Sequence, residues 1–141
     1  MYYLAITVIH VYTFSNEQGG GCVDFKANIP IYLQVINDIK KQIVCGQLKL
    51  GDKLPSTREL AVKYQINPNT AVRIYNEMEL DGLCFTKRGL GTFITEDQVK
   101  YESIKREMAQ FRIEEYVSEM KELGYGKEDM IRAIEEYFER G

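Results

Sequence analysis

The stretch Ile66-Asn67-Pro68-Asn69-Thr70 constrains the chain more than any other. Proline is tolerated in a helix only in its first turn, where its missing N–H leaves no bond unmade. Asn67, just before it, is a natural N-cap. A helix therefore starts at Pro68, and its leading edge is polar. On a wheel of 100° per residue, Ala71, Ile74, Tyr75 and Met78 fall on one side. Asn69, Thr70, Arg73, Asn76 and Glu77 fall on the other, mostly toward the N-terminal end. That end of a recognition helix enters the DNA major groove. Asn pairs with adenine through two hydrogen bonds, the Thr methyl meets thymine, and Arg grips guanine or phosphate. Free N–H groups at the helix start would add a phosphate site. A well-capped surface helix would carry the same pattern.

The segment upstream supplies a partner. Pro55-Ser56-Thr57-Arg58-Glu59 opens on Ser56 with Glu59 three residues later, the spacing of a capping box. Leu60, Ala61 and Tyr64 face inward, and a short turn leads to Asn67. Two short helices so joined are a helix-turn-helix candidate. An earlier helix is marked by the stripe Tyr32, Val35, Ile36, Ile39 and Ile43, with Pro30 in its first turn and Gly46 at its end. Lys49 to Pro55 is a short extended link. Downstream, Leu83 to Thr95 is two β-prone runs around Arg88-Gly89-Leu90-Gly91, a hairpin with a basic, glycine-bearing tip. Three helices and then such a hairpin is the order of a winged helix. Lys87 and Arg88 would meet phosphate, with Gly89 allowing close approach.

Charge agrees with this division. Residues 29–95 carry nine basic and six acidic side chains; residues 96–141 carry eight and thirteen. A mildly basic middle with an acidic tail suits a nucleic-acid contact on the middle alone, although ordinary surface charge would look the same. Three cysteines (Cys22, Cys45, Cys84) form no paired motif, and His10 is the sole histidine. A disulfide framework, a zinc site and histidine-based catalysis all lack their residues. The expectation is a cytoplasmic, non-enzymatic protein with no metal, no cofactor and no membrane association.

The opening run Met1 to Phe14 is apolar but shorter than the roughly 20 residues of a membrane span. It lacks the basic start and small-residue cleavage site of a signal peptide. Two readings of residues 1–23 stay open. One is an extra strand. The other is translation from an upstream start, with the codons of Gly19-Gly20-Gly21 forming a ribosome-binding site ahead of a GTG start at Val23.

The tail from Glu96 to Leu123 has helical periodicity with two apolar stripes: Tyr101, Ile104, Met108 and Phe111, then Ile113, Tyr116, Val117, Met120 and Leu123. After Gly124-Tyr125-Gly126 a short helix gathers Met130, Ile131, Ile134, Tyr137 and Phe138 on one side. Two helices cannot bury those aromatics alone. Packing onto the same chain and pairing with a second copy are both open.

Over residues 24–141 the sequence resembles the GntR family of bacterial transcription regulators, through Ile31 to Ala61, Ile66 to Gly82 and Thr86 to Ile94 taken in order. Pro68 stands where long-chain relatives commonly carry arginine, and Asn67-Pro68-Asn69-Thr70 looks like the short YtrA-type branch. The resemblance implies DNA contacts from Arg58, from Asn69, Thr70 and Arg73, and from Arg88 and Gly89, to which the basic tip of the hairpin adds Lys87. It implies a mainly α fold with a small β-hairpin: a winged helix-turn-helix over residues 24–95 and a two-helix dimerisation arm over 96–141. Phe111, Tyr116, Met120, Leu123, Ile131, Ile134, Tyr137 and Phe138 would form the dimer surface. The remaining tail is too short for the usual effector pocket, so a small-molecule effector is an open element. The implied function is a homodimeric, sequence-specific repressor on an inverted-repeat operator of a nearby operon, for which a transporter operon is suggested. The alternative is a winged-helix interaction module without DNA-binding activity.

Overall fold

The computed structural model describes residues 27–141; the leader of residues 1–23 lies outside them. The described chain forms two compact units that divide between Lys105 and Arg106. The first unit is built on three helices. Helix α1 spans Ile31–Val44 and buries Gln34, Val35, Ile36, Ile39 and Ile43. Pro30 stands at the N-cap rather than inside the first turn, with an extended ψ of 130°. Its carbonyl still receives the Leu33 and Gln34 N–H groups. The buried Gln34 amide donates to the Ile29 carbonyl at 2.8 Å, which satisfies a polar group the core would otherwise penalise.

Helix α2 (Thr57–Tyr64) begins on the expected capping box: Ser56 N–H donates to Glu59 Oε2 at 2.8 Å, and Glu59 N–H to Ser56 Oγ at 3.2 Å. Leu60, Ala61 and Tyr64 are buried. Helix α3 (Pro68–Leu80) buries the four residues its wheel assigns inward, Ala71, Ile74, Tyr75 and Met78. It packs on both α1 and α2. Each large aliphatic side chain removed from water here contributes roughly 1.5–3 kcal/mol. Polar bonds fix the packing: the Tyr64 hydroxyl donates to Asp38 Oδ2 at 2.6 Å, and the Tyr75 hydroxyl donates to the Pro55 carbonyl.

Strands β1 (Cys84–Lys87) and β2 (Gly91–Ile94) pair antiparallel, with Phe85 opposite Phe93 and Lys87 opposite Gly91. Cys84 and Ile94 turn into the core, and the ring centroids of Phe85 and Phe93 lie 5.9 Å apart on the other face. The link before α2 does more than connect. Leu54 N–H donates to the Thr92 carbonyl at 2.8 Å, Ile94 N–H to the Asp52 carbonyl at 2.9 Å, and Lys53 bridges Phe93. The free edge of β2 is thereby covered by the chain that leads into α2. Helix α4 (Gln98–Glu122) starts in the first unit and ends in the second, and α5 spans Lys127–Arg140. The architecture is a winged helix-turn-helix followed by two helices. Among the described residues no helix is long and apolar enough to cross a membrane.

Candidate nucleic-acid interface

The leading edge of α3 is closed at the backbone. Pro68 has no N–H, Asn69 N–H donates to Asn67 Oδ1 at 2.8 Å, and Thr70 and Ala71 donate to the Asn67 carbonyl at 2.9 and 3.1 Å. The expectation that free N–H groups here hold phosphate is corrected: the cap consumes them. Any chemistry at this edge belongs to side chains. Asn69 and Arg73 are exposed and Thr70 is half-buried.

Arg73 is exposed but not loose. Its guanidinium carbon lies 3.7 Å from the centre of the Tyr32 ring, which α1 supplies. Its Nε is 3.8 Å from Glu77 Oε1, and the side chain keeps 57% of its surface accessible. Tyr32 is half-buried. Nothing in the sequence marked it as part of the site, because a tyrosine inside an apolar stripe reads as core.

Arg58 lies in the first turn of α2, exposed, one residue inside the helix from Thr57. The turn between α2 and α3 runs through Gln65 in a left-handed conformation, φ 53° and ψ 47°. Gln65 N–H donates to the Val62 carbonyl at 3.3 Å and Ile66 N–H to the Ala61 carbonyl at 3.0 Å.

At the wing, Leu90 N–H donates to the Lys87 carbonyl at 3.0 Å, and Gly89 takes φ +77°. That sign at the third residue of a turn is what glycine supplies without steric penalty. Lys87 and Arg88 are exposed, as is Gly89. The Lys87 ammonium lies 5.3 Å from both the Phe85 and Phe93 ring centres. Lys53 is an addition that the sequence did not suggest. Its stem crosses Gly91 so closely that a Cβ there would meet Lys53 Cε at 2.8 Å. A third exposed cation therefore accompanies the wing. Glu79 of α3 accepts the Thr86 N–H at 2.9 Å, tying β1 to α3.

Behind the edge, burial first and neighbouring charge second raise the Tyr75 hydroxyl above its ordinary range and push the Cys84 thiol up to about 12. Both are neutral anchors of the core side of α3, with no part in titration near neutrality.

In the second unit the apolar residues of the arm separate into two groups. Phe111 is only 5% exposed in the single chain, and Met130 is buried as well. Phe111 thus sits in the interior of the arm, and little of its surface is left for a partner. Tyr116 and Met120 are half-buried, and the Tyr116 hydroxyl donates to the Met130 carbonyl at 3.4 Å. Leu123, Ile131, Ile134, Tyr137 and Phe138 are all exposed, the last two at 75%.

Comparison with known proteins agrees with this geometry. The family model described as bacterial regulatory proteins, gntR family, matches residues 31–94. The HTH-type transcriptional regulator YhcF of Bacillus subtilis is 43% identical over 83% of this chain and 97% of its own length. The HTH-type transcriptional repressor YtrA of the same organism is 45% identical over 53% of this chain and 58% of its own. A solved structure, a GntR family transcriptional regulator from Listeria monocytogenes, is 39% identical, covers 79% of this chain and 98% of its own, and superposes with a TM-score of 0.71. A capped helix-turn-helix, a basic glycine-tipped wing and a relative matched over nearly its whole length lead to one conclusion: this chain belongs to the GntR family and is a DNA-binding transcription regulator, not an enzyme.

Proposed function

We propose that the protein is a homodimeric, sequence-specific repressor that binds an inverted-repeat operator. Residues 24–95 form its DNA-binding domain and residues 96–141 its dimerisation arm. One observation carries the DNA contact: Asn69 and Arg73 stay exposed on α3, on the same unit as a wing that presents Lys87 and Arg88 around Gly89. Asn69, Thr70 and Arg73 read base edges in the major groove. Arg58 at the start of α2, and Lys87, Arg88 and Gly89 at the wing, hold the backbone or minor groove. Repression is the activity named for the relative YtrA, and likeness to the short YtrA-type branch points to a transporter operon. The site of action is the cytoplasm, where such an operator lies.

The arm's exposed aromatics support the dimer. A face of Ile131, Ile134, Tyr137 and Phe138 left to water is unfavourable, and a two-fold axis would cover it with its own copy. Two recognition helices would then sit about one DNA turn apart or more.

The test starts with selection of bound duplexes from a randomised library. Affinity for the selected duplex and for a scrambled one is then measured as a function of salt. Affinity should fall steeply as salt rises, as phosphate neutralisation requires. Arg73→Ala should weaken the selected duplex by about 1–3 kcal/mol and leave the scrambled one nearly unchanged. Lys87→Ala should weaken both alike and flatten the salt slope. Absence of binding to any duplex at low salt would instead establish an interaction module.

A further inference from the structure

We propose that Tyr32 is a positioning residue for sequence reading: its ring fixes the guanidinium of Arg73 before DNA arrives. The inference rests on the reading of Arg73 as a base contact. A solvent-exposed arginine samples many rotamers, and ordering it on binding costs up to about 2 kcal/mol. Here that freedom is already restricted. The guanidinium carbon lies 3.7 Å from the Tyr32 ring centre, well inside the roughly 6 Å limit for a cation–π contact.

Two partners compete for the role. The Glu77 carboxylate is near the outer limit of an ion pair at 3.8 Å, and Arg73 precedes it by four residues, the less favourable order on a helix. Glu77 and Arg73 also share one helix, so the pair cannot fix α3 against anything else. The ring comes from α1, which packs on α3, and it is itself half-buried. Its neighbour Gln34 is pinned through the Ile29 carbonyl. The ring is thus the more rigid support. A guanidinium laid on a ring also keeps its N–H edges free, and those edges make the bidentate contact to guanine. An aliphatic side chain at position 32 would fill the same edge of the core without offering that surface.

The test uses the full chain, the selected duplex and its scrambled control. Tyr32→Leu should weaken the selected duplex roughly three- to ten-fold and leave the scrambled one within error. Tyr32→Phe, which keeps the ring, should restore most of the affinity. In an Arg73→Ala background Tyr32→Leu should add no further loss, because the residue acts through Arg73. Tyr32→Met, a second ring-less variant, repeats the measurement if Tyr32→Leu does not fold. Three results would overturn the inference while leaving Arg73 as a base reader: no effect of Tyr32→Leu where Arg73→Ala weakens binding, additive losses in the double variant, or an equal loss in Tyr32→Phe. No effect of Arg73→Ala would remove the base-reading role and this inference together.

Discussion

Gln65 occupies a conformation that residues with a Cβ avoid at roughly 1–2 kcal/mol, yet it joins the two helices on which the interface depends. The turn requires it: Ile66 N–H reaches back to the Ala61 carbonyl only if the chain reverses at Gln65. Glycine would relieve the strain but lose entropy on folding, by roughly 0.5–1 kcal/mol. Gln65→Gly is therefore expected to be neutral or stabilising by on the order of 0.5 kcal/mol. Gln65→Val, branched at Cβ, should destabilise by about 1 kcal/mol or more. Urea midpoints of the two variants moving in the same direction would contradict this account of the turn. The same scale explains why Tyr32 and Lys53 escaped the sequence. A tyrosine at a core-facing period and a lysine in a glycine-flanked link carry no signal of what they will touch. The outward position of Asn69 and Arg73 is legible because a helical wheel depends on one element only; their contact with DNA remains the proposal.

Single elements with a local signature were read directly, and those that need a distant partner were not. The capping box of α2 is written in Ser56 and Glu59 alone, and it forms. Asn67 and Pro68 likewise fix the start of α3. The link at Asp52 to Leu54 has no alternating run, so its pairing with β2 could not be foreseen; β2 itself creates that partner. Helix α4 is the opposite case, long and unmistakable but with its apolar residues spread around it rather than gathered on one face. The box also predicts a pH dependence. Ser56 N–H first, then the Ser56 hydroxyl, and in smaller part the charge of Lys53, hold the Glu59 carboxyl below its ordinary value. A carboxyl lowered by folding stabilises the fold where it is ionised in both states, and that gain is lost as pH falls through the lowered value. Glu59→Gln keeps an acceptor for Ser56 N–H but cannot titrate. Wild type should be more stable than Glu59→Gln at neutral pH, and the difference should close in acid. A difference that persists unchanged at low pH would assign it to something other than this charge.

At the scale of the whole molecule the question is what the second unit is for. It is two helical segments whose buried apolar residues include Phe111 and Met130, far less than a free-standing domain needs. Its outward residues are apolar instead: Leu123, Ile131, Ile134, Tyr137 and Phe138. Tyr137 and Phe138 already meet edge to face at 5.6 Å, which orders the pair without covering it. Charge on this stretch is net acidic, unsuited to phosphate, so DNA is not the missing cover. On the proposed reading a second copy would supply the same face, and a two-fold pair would close on itself without growing further. Phe138→Asp places a charge where the partner's rings should lie, and is expected to yield monomers by light scattering at concentrations where wild type is dimeric. The consequence for DNA follows from linkage of two half-sites. Loss of the second should weaken operator binding by about 10²–10⁴-fold, though no contact residue has changed. The salt slope should drop to about half, because half the phosphates are neutralised by each monomer. A Phe138→Asp protein that remains dimeric moves the interface elsewhere on the chain. One that becomes monomeric but keeps full affinity and an unchanged slope shows that a single winged helix suffices, and the inverted-repeat operator then has no structural basis.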